Sequence, residues 1–320
     1  MTRRIAAGFL LSVILLVGCV CRPDDRPAVA ERHPAAKIAK AVPERVAFDS
    51  LDVDPATGRA ITIHALLFTP QRAGDGRMPA VVALHGCGGM YSVLPEKRDS
   101  LTMRHQGMAN LLVAQGYIVL FPDSFRSRGV EEICTVENRS RTITQRNRLL
   151  DTLGALAWLQ ARRDVLPERI AVLGWSHGGS AVLAALNAKA PPVAERRADG
   201  PYFRAGAAFY PGCSDALKAR TGYALAAPLE LFVGGSDDWT APEPCIQLAD
   251  KLTVFMGPQV RISVYPNTYH GFDGPSGQRQ RLEVPNGVKP GQGVTVAANP
   301  RARDDAYAKL KRFLSEQLEN

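Results

Sequence analysis

The sequence Gly174-Trp175-Ser176-His177-Gly178-Gly179-Ser180 determines how the rest of the chain is interpreted. It follows an apolar run, RIAVLGW, typical of a buried strand, and precedes an alanine-rich run, AVLAALNAKA, typical of a helix. Its first five residues fit G-x-S-x-G, a pattern that in this context places a serine on a sharp turn. The glycines leave room for the close backbone contacts that such a turn needs. We therefore predict that Ser176 is a nucleophile beside the positive end of a helix.

Strand-like and helix-like segments alternate along the chain. Continuous apolar runs such as MPAVVALHG, at residues 78–86, indicate strands that are buried on both faces. Such alternation predicts an α/β fold with a mostly parallel central sheet and helices on both faces, and the serine turn makes it the α/β-hydrolase fold. The predicted strands are 44–53, 60–70, 78–86, 117–123, 169–175, 203–212, 228–235 and 260–266. The predicted helices are 98–115, 140–162, 181–190, 243–256 and 302–318.

The N-terminal segment has the composition of a targeting sequence. Basic residues are followed by an apolar run, Ile5 to Val17, and then by Leu16-Val17-Gly18-Cys19, which resembles the lipobox of bacterial lipoproteins. The resemblance implies cleavage before Cys19 and lipidation of Cys19, and an ordinary secretory signal is the alternative. We predict a signal peptide at 1–18, a flexible tether at 19–43 and a hydrolase domain at 44–320. The protein is then exported to the bacterial cell envelope, lipid-anchored and facing the periplasm or the exterior.

Charge and composition exclude several kinds of partner. The net charge is +8, but the basic residues are scattered, without a long block or interleaved aromatic residues, so no nucleic-acid partner is predicted. His, Cys and Asp residues do not cluster with the spacing of metal ligands, so no metal site is predicted.

A glycine-rich loop, His85-Gly86-Cys87-Gly88-Gly89, follows the predicted strand 78–86. In α/β-hydrolases the loop at this point supplies one backbone N–H of the oxyanion hole, and the residue after the nucleophile supplies the other. We therefore predict that the N–H groups of Cys87 and His177 stabilise an oxyanion. A plain glycine turn is the alternative.

The order of residues along the chain suggests a catalytic base and a catalytic acid. In this fold the nucleophile is followed by the acid and then by the histidine. Only His177 and His270 lie at or beyond the serine turn, and His270 directly follows a predicted strand, as active residues of α/β sheets do. The acid is expected after the preceding strand, where Asp237 and Asp238 are adjacent. We prefer Asp237, and Asp238 stays open.

The motifs HGCGG, GWSHGGS, GGSDDWT and YHGF, in this order, resemble the dienelactone hydrolase family over roughly residues 60–318. The resemblance implies a triad of Ser176, Asp237 and His270, without cofactor or metal. The founding enzymes of that family have a cysteine where this chain has Ser176, so lactone specificity is not implied. A serine with a histidine base fits a broader hydrolase of small-molecule esters.

The long segment from Asp123 to Arg148 is the predicted substrate rim. Arg126 within it is a candidate contact for a substrate carboxylate, although a solvated surface arginine is an equal alternative. Trp239 and Tyr269 adjoin the proposed acid and base, so they are candidates for lining the pocket or packing beneath it.

Six cysteines are present, and an exported protein lies in an oxidising compartment where thiols pair. Excluding Cys19 and Cys21 leaves four, which allow three pairings. Loops after neighbouring strands are the most favourable for contact, so we predict the disulfides Cys87–Cys134 and Cys213–Cys245. Four buried free thiols are the alternative.

Two other functions fit the same sequence features. One is a non-catalytic cell-envelope binding protein on a hydrolase scaffold, because fold alone does not imply function. The other is a peptidase of the same fold.

Overall fold

The computed structural model describes residues 2, 41–71, 76–256 and 259–319 of the chain. Apart from Thr2, the predicted signal peptide lies outside the described residues, and so do the lipidation site Cys19 and nearly all of the predicted tether. None of the helices in the described ranges is both long enough and apolar enough to cross a membrane.

The described chain forms ten strands and seven α-helices. The strands are β1 (Glu44–Val53), β2 (Ala60–Phe68), β3 (Met78–Leu84), β4 (Ile118–Pro122), β5 (Val165–Trp175), β6 (Ala205–Phe209), β7 (Leu229–Gly234), β8 (Val260–Tyr265), β9 (Arg279–Arg281) and β10 (Val294–Val296). The helices are α1 (Met103–Ala114), α2 (Gln145–Gln160), α3 (His177–Ala185), α4 (Pro191–Ala198), α5 (Ser214–Leu217), α6 (Glu243–Met256) and α7 (Pro300–Leu318).

Eight strands form one sheet in the order β1-β2-β4-β3-β5-β6-β7-β8. The pairs β1–β2 and β2–β4 are antiparallel, and every other pair in this sheet is parallel. This confirms the predicted α/β-hydrolase fold. Because β5 lies near the centre of the parallel region, its carboxyl end brings the serine turn next to the loops that follow β3, β6 and β7.

Successive side chains of a strand point to opposite faces of the sheet, and each face carries an apolar layer. In β3, Val82 belongs to the layer that includes side chains of α2, α3 and α6, whereas Val81 belongs to the layer that includes α1 and α7. Helices therefore cover both faces, which explains why the central strands are continuously apolar in sequence.

The sequence located most elements but misplaced several ends. The helix predicted from residue 98 begins at Met103, because Thr102 caps it by accepting a hydrogen bond from the N–H of His105. The helix predicted from residue 140 begins at Gln145, where Thr144 and Asn147 form a capping box. Helices α4 and α5 and the β9–β10 hairpin were not predicted.

Candidate active site

The turn between β5 and α3 holds Ser176 in a backbone conformation that residues other than glycine rarely adopt, with φ at 53°. A Cβ on Gly174 would lie 2.3 Å from the carbonyl oxygen of Gly178. A Cβ on Gly178 would lie 2.1 Å from the carbonyl oxygen of Leu84, in β3. Both positions of the G-x-S-x-G pattern must therefore be glycine for β5, α3 and β3 to pack this closely.

Ser176, His270 and Asp237 form a continuous hydrogen-bonded chain. Ser176 Oγ lies 2.9 Å from His270 Nε2, and His270 Nδ1 lies 2.8 Å from Asp237 Oδ2. All three residues are buried. Because the ionised carboxylate only accepts, Nδ1 carries the proton in this arrangement, and Nε2 is the acceptor for the serine hydroxyl.

The loop after β7 fixes the Asp237 carboxylate. Its Oδ1 accepts hydrogen bonds from the N–H groups of Trp239 and Thr240, at 2.9 and 2.8 Å. Thr240 Oγ1 lies 3.1 Å from Asp237 Oδ2 and 3.2 Å from His270 Nδ1. Sequence reasoning missed Thr240, although its place three residues after the aspartate suits a loop closed by the aspartate side chain.

Asp238 has a different set of partners. Its carboxylate accepts from the backbone N–H and the hydroxyl of Thr295, both at 2.7 Å, and thereby holds β10 against this loop. Of the two adjacent aspartates, the structure brings Asp237 to the histidine.

The glycine loop after β3 lies directly against the serine turn. A Cβ on Gly86 would lie 3.5 Å from Ser176 Cβ, so the backbone of this loop lies next to Ser176. His177 is the first residue of α3, where the backbone N–H has no partner within the helix. The N–H groups proposed for the oxyanion hole therefore belong to two segments that meet at Ser176.

Two disulfides join the loops around this site. Cys87 and Cys134 are bonded with an S–S distance of 2.08 Å, and Cys213 and Cys245 with 2.02 Å. The pairs are those predicted from the sequence. The first connects the glycine loop to the long segment after β4, and the N–H of Ile133 also donates to Cys87 O at 2.8 Å.

Known proteins resemble this chain in sequence and in fold. The profile of the dienelactone hydrolase family matches residues 63–318. The chain belongs to the dienelactone hydrolase family. A Bacillus subtilis (strain 168) protein described as "Putative hydrolase YtaP" is 31% identical over 121 residues, covering 35% of this chain and 40% of that protein. This match therefore spans less than half of that relative's length.

Solved structures share the fold of this dienelactone hydrolase family member. Thermogutta terrifontis esterase 2 phosphorylated by paraoxon is 14% identical, with a TM-score of 0.57 over 88% of this chain and 95% of that chain. The dienelactone hydrolase-like promiscuous phosphotriesterase P91, from metagenomic libraries, is 17% identical, with a TM-score of 0.57 over 85% of this chain and 98% of that chain.

Two cavities of the family member open at Ser176. One, of about 430 Å³, is also lined by His270, and the other, of about 560 Å³, is also lined by His177. Of the predicted rim residues, Trp239 lines both cavities, and its ring centroid lies 4.6 Å from that of His270.

The other two predicted rim residues do not line these two cavities. The Arg126 guanidinium stacks on the Tyr91 ring at 4.2 Å and lines an adjoining hollow of about 140 Å³, which shares Tyr91 and Val93 with the cavity of His270. Tyr269 is half-buried and lines none of these three cavities.

The hairpin β9–β10 also contributes to the site. No helix or strand was predicted from the sequence in this segment. Arg279 and Arg281 line the cavity that contains His270, and Val296 pairs with His270 as an isolated bridge. Strands of three residues between glycines and prolines carry too little periodicity to be recognised from sequence.

Proposed function

We propose that the protein is a serine hydrolase that cleaves small-molecule carboxylic esters through an acyl-enzyme intermediate. The observation that carries the proposal is the continuous chain of hydrogen bonds from Ser176 Oγ through His270 to Asp237. A non-catalytic binding protein would not require these three buried side chains to stand within hydrogen-bond distance of one another.

In the proposed acylation step, His270 Nε2 takes the proton of Ser176 as Oγ attacks the ester carbonyl carbon. The resulting oxyanion is stabilised by the N–H groups of Cys87 and His177, each worth about 3–4 kcal/mol in such sites. Asp237 stabilises the imidazolium that forms. When the intermediate collapses, the bond from carbon to the alcohol oxygen breaks, and His270 gives its proton to the leaving alcohol.

In the proposed deacylation step, water takes the place of the alcohol. His270 removes one proton from water as the water oxygen attacks the acyl carbon. The bond from this carbon to Ser176 Oγ then breaks, and His270 returns the proton to the serine oxygen. The products are a carboxylic acid and the free enzyme.

Labelling with a fluorophosphonate tests this proposal, because the probe reacts covalently with an activated serine. We expect the wild-type protein to be labelled on Ser176 and to hydrolyse 4-nitrophenyl acetate. Ser176→Ala should abolish labelling and lower kcat by several orders of magnitude. Replacing the exposed Ser140 by alanine is the matched control and should change neither. Wild-type hydrolysis by Ser176→Ala would contradict the mechanism.

We also infer an extracytoplasmic location, supported by two disulfides that are typical of proteins in oxidising compartments. Attachment to a membrane through Cys19 is part of this proposal and is supported by the lipobox-like sequence alone. Intact-mass analysis of the native protein tests it. A mature chain that starts elsewhere, with a free Cys19 thiol, would contradict lipidation.

A further inference from the structure

The two cavities that meet at Ser176 differ in which catalytic groups they expose. Both are lined by Cys87, Ser176 and Trp239. The smaller one also contains His270, the proposed proton donor to the leaving alcohol, and the larger one contains His177. When the carbonyl group of an ester lies at Ser176, one half of the ester can therefore occupy each cavity.

The surface of the smaller cavity is mainly apolar, although Arg104, Arg279 and Arg281 also line it. Val93, Leu94 and Met103 form an exposed apolar lip at its edge. These side chains are 88%, 47% and 75% exposed, which is unusual for three large apolar residues grouped at one opening. No described element covers them. Exposed apolar patches mark ligand-binding grooves or interaction surfaces, and this one lies at the mouth of the cleft that contains Ser176.

The larger cavity exposes polar and apolar surface in about equal amounts, a greater polar share than in the smaller cavity, and many polar side chains line it. They include Arg141, Thr144, Gln145, Ser214 and Asp215, together with Asn138. Arg141 is half-buried, and its Nε donates to Val136 O at 3.2 Å. Burial lowers the pKa of this guanidinium, while the charge of Glu132 raises it. Such a lining offers donors and acceptors on several sides, and a purely hydrocarbon group would leave them without partners.

Proton transfer from His270 to the leaving oxygen determines which cavity each half of the ester occupies. The leaving oxygen must come within hydrogen-bond reach of His270 Nε2, because that nitrogen returns the proton taken from Ser176. The alcohol half therefore lies on the His270 side, in the smaller cavity. The acyl half stays bonded to Ser176 after the alcohol leaves, and the larger cavity is the space that it can occupy.

We propose that the substrates are esters of an apolar alcohol or phenol with a hydrophilic acid. The alcohol half lies against the lip of Val93, Leu94 and Met103, and the acyl half forms hydrogen bonds in the cavity of Arg141 and Gln145. This inference rests on the proposed function and adds a substrate class to it. Release of the apolar alcohol opens the smaller cavity to the water that His270 activates.

Two series of substrates separate the cavities. In the first, one acid is esterified with methyl, butyl and benzyl alcohol. In the second, 4-nitrophenol is esterified with butyric acid and with methoxyacetic acid, which have similar shapes but different polarity. Each kcat/KM is divided by the rate of the same ester with hydroxide. We expect wild-type kcat/KM to rise about fourfold for each alcohol CH₂ that is buried, and to favour methoxyacetate.

Matched variants then test the assignment. Val93→Ser should reduce the preference among alcohols and leave the acyl preference unchanged. Arg141→Gln should reduce the preference for methoxyacetate and leave the alcohol series unchanged. The controls are Val254→Ser, at an apolar residue 79% exposed on α6, and Arg139→Gln, at an exposed arginine outside both cavities. Melting temperatures verify that all four variants fold.

The possible outcomes are distinct. An exchange of the two effects, with Val93→Ser altering the acyl preference, would overturn the cavity assignment while leaving the serine mechanism intact. Equal effects of a site variant and its control would also overturn it. A wild-type protein that hydrolyses no ester and takes no fluorophosphonate label would instead remove the proposed function, and this inference with it.

Discussion

Arg104 and Asp273 form an ion pair behind His270, with 2.9 Å between Arg104 Nε and Asp273 Oδ1. The pair is close in distance but is not aligned as a hydrogen bond. The buried carboxylate also accepts hydrogen bonds from the indole of Trp175 at 2.8 Å and the hydroxyl of Tyr210 at 2.6 Å. The Tyr210 ring in turn packs against the imidazole of His270, with 4.5 Å between ring centroids. One carboxylate therefore supports the wall behind the proposed base.

Replacing this carboxylate tests how much the site depends on it. Asp273→Asn leaves Arg104 without its counter-charge and removes an acceptor for buried donors, so we expect a loss of about 3–5 kcal/mol in the free energy of unfolding. We also expect a larger effect on kcat than on KM, because the Tyr210 ring that packs against His270 is no longer held by the carboxylate. Tyr307→Phe is the control, since it removes only a hydrogen bond of 3.3 Å to the same carboxylate. It should cost about 1 kcal/mol or less. Denaturant unfolding and steady-state kinetics measure both effects.

The two adjacent aspartates should respond differently to the same substitution. Asp237→Asn leaves the His270 ring without an anionic partner, so we expect a fall in kcat of about 10³–10⁴-fold with little loss of stability. Asp238→Asn weakens the contact with Thr295 and should lower the melting temperature while reducing kcat by less than about tenfold. Kinetics and thermal melts of the two variants decide the matter. If Asp238→Asn has the larger effect on kcat, Asp237 is not the acid.

The two disulfides should differ in what they protect. The bonded pairs are separated by 47 and 32 residues, and bridges of this span stabilise a fold by about 2–4 kcal/mol. Replacing Cys213 and Cys245 by alanine should lower the melting temperature and reduce kcat only modestly, because Cys213 lines the larger cavity but belongs to neither the triad nor the proposed oxyanion hole. Replacing Cys134 by alanine should lower both, because Cys87 belongs to the proposed oxyanion hole. Equal kcat values for the two variants would contradict a role of the first bridge in positioning that loop.

Buried histidines should make the fold sensitive to mild acid. Burial lowers the pKa of His105 to about 4, with Arg104 adding to the effect and Asp273 opposing it. The unfolded chain, with an ordinary pKa of about 6.5, therefore binds a proton between these two pH values that the folded chain does not. Stability from this group is complete above about pH 6.5 and falls by roughly 3 kcal/mol as the pH drops to about 4.

A single variant separates this contribution from the others. Burial also lowers the pKa of His85 and His177, in both cases together with the charge of Arg148, so part of the acid sensitivity should persist. His105→Gln should narrow the difference between melting temperatures at pH 7.5 and pH 5, whereas the same change at the exposed His64 should not. An unchanged difference in His105→Gln would show that this histidine does not contribute.

Local sequence patterns were enough to predict the fold and the serine turn. Continuous apolar strands, glycines on both sides of Ser176 and the fixed chain order of such sites left few alternatives for His270. Those features depend on steric requirements of a few adjacent residues or on the topology of parallel sheets. Both can be inferred from the order of residues along the chain. The pairs of cysteines were predictable for the same reason, because loops that follow neighbouring strands meet at one sheet edge.

The direction of individual side chains was decided by the tertiary structure alone. Asp237 and Asp238 are identical in type and adjacent in sequence, yet one carboxylate faces His270 and the other holds Thr295, far away in the chain. Thr240 and Asp273, and the hairpin that carries Arg281, contribute through contacts between distant segments. Arg126, a candidate substrate contact, stacks on Tyr91, which lines the cavity that contains His270. No local pattern encodes such contacts, because each depends on which partner the completed fold brings within hydrogen-bond distance.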